Sequence, residues 1–326
     1  MDGLGEPFQL VGAAVAGSIE TLAGASLLAL AAAMALHLLK LGARARAWQN
    51  ILRAAFPETE IRFGTALQAY LSGVGVNAVT PGRPGELVRL GLARARVEGA
   101  TMPPLLSSIA VEAVLDGALA AAVLGWAVLG SGRAGVAGGL AGLLAGHPVA
   151  SAAALLAVAA IATAIARRYR MRIRRAAAGL ARGFAVLRSP RRYLATVASW
   201  QAIGWALRVA SVIAFLAAFH LGAGFSAAAL VVAAQLVSGL LLVAPGGIGV
   251  QQALLALALG GSSGALALGI GMQTATVFVD VVAGAVALTA AGARSGGARP
   301  FAAPGSRARP PKRPLVQAAF RRRRSV

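Results

Sequence analysis

Five stretches of this chain are apolar for long enough to cross a lipid bilayer: Thr21–Leu41, Pro103–Gly130, Val149–Ala166, Tyr193–Phe219 and Leu266–Gly292. An α-helix rises about 1.5 Å per residue, so roughly 20 apolar residues cover the hydrocarbon layer. No water is available there, so the backbone N–H and C=O groups of such a stretch must pair within it. That leaves the α-helix. The composition agrees: 58% of the 326 residues are hydrophobic, 13% are charged and the mean hydropathy is +0.75, far too apolar for a soluble domain of this length. The fold class is therefore an all-α integral membrane protein, a polytopic helical bundle.

Two further apolar regions, Phe63–Arg96 and Ser226–Leu259, are each interrupted near the middle. In the first, the run Asn77-Ala-Val-Thr-Pro-Gly-Arg-Pro-Gly-Glu86-Leu-Val-Arg89 is polar and helix-breaking. The segment before it, Phe63–Val79, makes about 25 Å of helix, short of the roughly 30 Å hydrocarbon layer. Pro81 and Pro84 lack an N–H and restrict the residue before them, so the helix stops. A second helix starts at Gly85, with Glu86 in its first turn where the helix dipole favours an anion. In the second region, Pro245-Gly246-Gly247-Ile248-Gly249 makes the corresponding break. It offers backbone N–H groups to an anion, or a kink that lets helices pack closely. A broken helix at membrane depth is stable only when buried in protein or lining a polar cavity. Paired interruptions in the two halves point to an inverted repeat with its site between them, although the residues show no repeat beyond the breaks.

Basic residues set the topology. Of 31, five lie in Lys40–Arg62, four in Arg83–Arg96, ten in Arg167–Arg192 and ten in Arg294–Arg324, which the positive-inside rule places together in the cytoplasm. All four regions land there if Phe63–Arg96 is a re-entrant hairpin dipping in from the cytoplasm and Ser226–Leu259 an opposed one from outside. The expected plan is an N-terminal segment (1–20), a membrane domain (21–292) and a basic tail (293–326). The start, Met-Asp-Gly-Leu-Gly-Glu, has acid and no basic n-region, so the first apolar segment is expected to stay as an anchor. Met171–Leu187 carries Leu180, Phe184 and Leu187 at helical spacing with Arg174, Arg175 and Arg182 mostly elsewhere, which suits an interfacial helix or a basic loop helix. The tail ends Phe320-Arg-Arg-Arg-Arg324, suited to anionic lipid at about 1 kcal/mol per basic residue. Topology accounts for the +21 charge, so nucleic acid is not an expected partner.

Charges inside apolar spans are the candidate site. Arg208 lies mid-span, where an arginine costs about 2.5–3.5 kcal/mol to insert, so it should face protein or water and have a partner. Glu112 and Asp116 are four apart and project from one helix face. Asp280 lies in the last span. With Arg83, Glu86 and Arg89 at the break, these groups describe a polar interior path. Arg83, Arg89, Arg208 and the second break suit a phosphate, and Glu86, Glu112 and Asp116 an amine or a sugar. The residues leave open a purely structural reading, in which Glu112 and Asp116 neutralise arginines and Asn77, Pro81 and Gly85 form a sheltered turn. The absence of cysteine excludes disulfides and thiolate metal sites, and His37, His147 and His220 show no metal-ligand spacing, so no metal or cofactor is expected.

Asn77, Pro81, Arg83, Gly85, Glu86 and Arg89, then Glu112 and Asp116, then Pro245-Gly-Gly-Ile-Gly249, occur in an order that resembles the flippase-like family sharing the transmembrane region of lysylphosphatidylglycerol synthases. The resemblance runs from about Leu22 to Gly292. It implies translocation of a charged or glycosylated phospholipid, or of a lipid-linked envelope precursor, with Asn77, Arg83, Glu86, Arg89, Glu112, Asp116 and Arg208 as substrate-binding residues. The chain departs from the family pattern at Ala113, where a basic residue is common, at Gln251 and Gln252, where Glu is common, and around Met272 and Gln273, where a base is common. Membrane phospholipids with anionic or aminoacylated headgroups are the expected partners, and an envelope-biosynthesis enzyme is a further one if the protein is a non-transporting accessory. The bifunctional synthases carry a large soluble catalytic domain after the membrane part, and 34 residues follow Gly292 here, so aminoacyl transfer is not expected. A membrane-embedded transferase using Glu112 or Asp116 as base lacks a nucleophile, metal cluster or phosphate loop to complete it. Twenty-nine Arg against two Lys fits a high-GC bacterial genome, hence the bacterial cytoplasmic membrane, multi-pass, with a cytoplasmic C-terminus.

Overall fold

The computed structural model describes residues 20–130 except 22 and 81, residues 184, 187 and 189–240, and residues 250–259 and 263–294. The expected span Val149–Ala166, most of Met171–Leu187, the breaks at Pro81 and at Pro245, Gly246, Gly247 and Gly249, and the tail from 295 lie outside the described residues. The described chain is helical: α1 (Leu27–Ala55), α2 (Phe63–Val79), α3 (Gly85–Arg96), α4 (Met102–Gly130), α5 (Pro190–Ala218), α6 (Phe225–Leu240), α7 (Val250–Leu259) and α8 (Ser263–Arg294). Four of these, α1, α4, α5 and α8, are long and apolar enough to cross a bilayer. Leu28 is 83% exposed and Phe278 63%, and with Leu27, Val114 and Val286 they give these helices an apolar outer face suited to lipid.

Helix ends follow local chemistry. Ser26 caps α1, its Oγ accepting from the Ala29 N–H at 3.4 Å, and Pro57 follows the last turn. The expectation ended the first span at Leu41, but α1 runs on to Ala55. Lys40 and Arg44 do not end it at the membrane surface because both find polar partners inside the bundle. Between α2 and α3 the chain turns through Gly82 (φ 77°) and Arg83 (φ 56°), left-handed backbone that is free for glycine and costs about 1–2 kcal/mol for arginine. The Asn77 side-chain oxygen accepts from the Gly85 N–H at 2.7 Å, closing the turn. A methyl group on Gly73 would lie 2.7 Å from the Gly85 carbonyl oxygen, so only glycine lets the two arms meet. The expected helix, break, helix is therefore a packed hairpin.

The packing reveals a repeat. Helix α1 lies against α5 in antiparallel register: the Ser26 N–H donates to Ala218 O at 2.9 Å, Ser211 Oγ to Ala33 O at 2.9 Å and Asn50 Nδ2 to Thr196 O at 2.6 Å. The last contact uses a carbonyl on a widened π turn, Leu194–Ala198, early in α5. The other pairings come in exchanged sets, α2 with α8 and α6 with α4, α2 with α3 and α6 with α7, α1 with α2 and α5 with α6, α3 with α4 and α7 with α8. Swapping α1–α4 for α5–α8 reproduces the arrangement. One sequence offset accounts for it: Arg208 follows Arg44, and Asp280 follows Asp116, by the same 164 residues (208 − 44 and 280 − 116), and the offset also carries Pro81-Gly82-x-x-Gly85 onto Pro245-Gly246-x-x-Gly249. Since α1 and α5 are equivalent and antiparallel, the two units run in opposite directions.

Candidate functional site

A cavity of about 890 Å³ lies between the two units, and all seven expected substrate-binding residues line it: Asn77, Arg83, Glu86, Arg89, Glu112, Asp116 and Arg208. They arrive from four helices and the hairpin turn. Asn77 closes the hairpin turn, and the partners of the other six divide them into two groups.

The first group is a closed ion-pair network. Glu112, 4% exposed, receives Arg89 at 2.6 Å on one carboxylate oxygen and Arg44 at 3.3 Å on the other. Arg44 also pairs with Asp116 and donates from Nε to the Tyr70 hydroxyl at 2.7 Å. Trp205 Nε1 donates to Asp116 Oδ1 at 3.0 Å. Arg89 reaches Glu86 at 3.5 Å, and its guanidinium lies over the rings of Trp48 (3.9 Å) and Tyr70 (4.5 Å). The spacing of Glu112 and Asp116 four apart on α4 is what lets both meet the long side chain of Arg44. Arg89 is committed to Glu112 and Glu86. Its buried Nε has no hydrogen-bond partner among the described residues.

The second group is open. Arg208 donates to Gln235 Oε1 at 2.9 Å and lies 5.2 Å over the Trp205 ring, with no carboxylate partner among the described residues. Lys40 Nζ meets His37 Nδ1 at 3.1 Å, and His37 Nε2 meets Asp280 Oδ1 at 2.8 Å. Exposed Arg83 stands at the hairpin turn and lines the cavity. On the far wall, Gln252 Nε2 donates to Gln273 Oε1 at 2.6 Å, an uncharged bridge between α7 and α8 where Arg89 and Glu112 form a charged one between α3 and α4. The departures at Gln252 and Gln273 are thus two ends of one contact.

Sequence reasoning missed Lys40, Arg44 and His37. The two bases fall where the apolar run ends and topology alone explains a positive charge, and a lone histidine carries no pattern. A heptad-like count would have helped: His37, Lys40 and Arg44 are spaced three and four apart, one helix face. Among the described residues no group of three or more His, Cys, Asp or Glu is placed to hold a metal ion.

A family model described as the lysylphosphatidylglycerol synthase TM region matches residues 8–291. The chain belongs to that family. No curated protein and no solved structure matches it. As a member of the lysylphosphatidylglycerol synthase transmembrane family it is a multi-pass membrane protein, and the matched region takes in every described helix up to the last turn of α8.

Proposed function

We propose that the protein moves the headgroup of a charged phospholipid, or of a lipid-linked envelope precursor, between the leaflets of the bacterial cytoplasmic membrane. Family membership supports a role in lipid metabolism or transport. The observation that carries the finer reading is Arg208: a cation midway along a membrane-length helix, aimed into a cavity between two oppositely directed units, with an amide as its only side-chain hydrogen-bond partner among the described residues. An arginine at that depth is costly without an anion, and a lipid phosphate supplies one while its acyl chains stay in the bilayer. The cavity falls within the roughly 300–1,000 Å³ range of small-ligand pockets, enough for a headgroup. In this reading the two hairpins are re-entrant from opposite faces, the C-terminus is cytoplasmic, and rocking of one unit against the other exposes the headgroup to each side in turn.

The test is leaflet exchange in proteoliposomes with fluorescent phosphatidylglycerol, its lysyl ester and a polyprenyl-phosphate lipid, comparing wild type with Arg208→Ala and Glu112→Gln. Exchange of one lipid class, lost in Arg208→Ala, is the expected result and names the substrate. Folded wild type with no exchange above empty liposomes for any of the three points instead to an accessory of an envelope-assembly enzyme.

A further inference from the structure

The inverted repeat makes two copies of one arginine–aspartate pair, Arg44 with Asp116 and Arg208 with Asp280, and the copies are used differently. In the first, arginine and aspartate are bonded, and Asp116 is further held by Trp205. In the second they are apart. Arg208 turns to Gln235, and Asp280 bonds the imidazole of His37 at 2.8 Å, which Lys40 holds from its other side at 3.1 Å. The residue 164 positions after His37 is Gln201, which cannot titrate in this range, and the one after Lys40 is Gly204. One aspartate is therefore matched to a permanent cation and the other to a group whose charge changes between about pH 5 and 8.

When Lys40 is an ammonium it has only donors, and Nδ1 of His37 then accepts from it while Nε2–H donates to Asp280. In this state the chain of three holds one positive and one negative charge. An added proton has two places to go. On the Asp280 carboxylate it removes the negative charge. On His37 it must land at Nδ1, where the new N–H faces the Lys40 ammonium at 3.1 Å and drives it off toward the cavity. Both routes add one positive charge. The cavity lining carries Lys40, Arg44, Arg83, Arg89 and Arg208 against Glu86, Glu112, Asp116 and Asp280, a formal balance of +1 that the proton raises to +2. Among the described residues, the other titratable neighbours are Arg44, Glu112, Asp116, Arg89 and Glu86, committed to one another, Tyr70 of α2, committed to Arg44, and Arg83, exposed at the hairpin turn, while α6 and α7 present the amides of Gln235 and Gln251. Among the described residues, Arg208 of α5 is the cation without a carboxylate partner that faces both the chain of three and the cavity.

We propose that Asp280, His37 and Lys40 form a proton-binding site, and that the proton taken up there binds together with an anionic headgroup at Arg208, coupling lipid movement to the proton gradient. The inference rests on the translocation reading and adds its co-substrate. Coupling is reciprocal: if a proton strengthens anion binding, the anion must strengthen proton binding by the same factor.

The test is calorimetric binding of short-chain phosphatidylglycerol to the purified full-length protein in detergent. It is run from about pH 5.5 to about pH 8 in two buffers of different ionisation enthalpy, so that protons taken up per lipid are counted. Wild type should take up close to one proton per lipid in part of this range, with affinity falling by up to about tenfold per pH unit as pH rises through it. Whichever of Asp280 and His37 takes the proton, its own variant, Asp280→Asn or His37→Gln, should bind with no proton uptake and a flat pH dependence. His220→Asn, at an exposed histidine outside the cavity, should behave as wild type. Wild-type binding with no proton uptake at any pH overturns the proton site and leaves the headgroup reading standing, as does uptake that persists in both variants. No lipid binding at any pH overturns both.

Discussion

Glu112 takes a guanidinium on each carboxylate oxygen, Arg44 from α1 and Arg89 from α3, and so ties three helices at one buried point. Removing one partner of a buried pair leaves the other uncompensated, which costs about 3–5 kcal/mol. Glu112→Ala is therefore expected to lower the thermal unfolding temperature in detergent sharply, and a value equal to wild type would contradict the network. Arg208 has no such role. Arg208→Gln exchanges one hydrogen bond to an amide for another, and should unfold close to wild type while losing lipid binding. An equally large drop in unfolding temperature would make Arg208 structural. The sequence exposed Glu112, Asp116 and Arg208 because each interrupts an apolar span, where a charge needs a reason. It did not show which base serves which acid: Arg44 reaches Glu112 across 68 positions, and that pairing exists only once α1 and α4 pack.

At the scale of the element, the α2–α3 hairpin depends on close approach. A Cβ on Gly85 would lie 2.6 Å from Asn77 Oδ1 and collide with the Gly73 carbonyl oxygen, so Gly85→Ala must spread the arms. Overpacking of this kind costs about 1–3 kcal/mol. Reduced unfolding temperature together with weaker lipid binding is the expected outcome, and wild-type behaviour in both would contradict the hairpin geometry. If the hairpin returns to the side it left, single cysteines at Arg62 and Arg94, before and after its turn, label from the same face, the cytoplasmic one. The chain has no cysteine to obscure the result. Labelling from opposite faces would mean that Phe63–Arg96 crosses as one broken span. The break was readable because proline acts locally on its own residue and the one before it. The length of α1 was not, because Lys40 and Arg44 read as a membrane boundary until their partners are known.

For the whole molecule, the organising fact is that the described helices form two units of four related by exchange, with the cavity where they meet. The repeat was signalled by its paired breaks yet hidden elsewhere, because lipid-facing positions accept almost any apolar residue and keep no register. Of the charged residues, the arginine and aspartate of each unit retain the 164-residue offset, and the Pro-Gly turns keep it with them. Such symmetry gives a carrier two equivalent arrangements, each the other with its units exchanged, and the cavity's open side is the half in which arginine and aspartate stand apart. The most direct test is the rate at which reconstituted wild type and Arg208→Gln, matched for folded protein, exchange fluorescent phosphatidylglycerol between leaflets. Exchange well above empty liposomes for wild type, and at the empty-liposome rate for Arg208→Gln, is the predicted result. Equal rates in the two proteins, or none in either, would contradict an anion site at the centre of a lipid carrier.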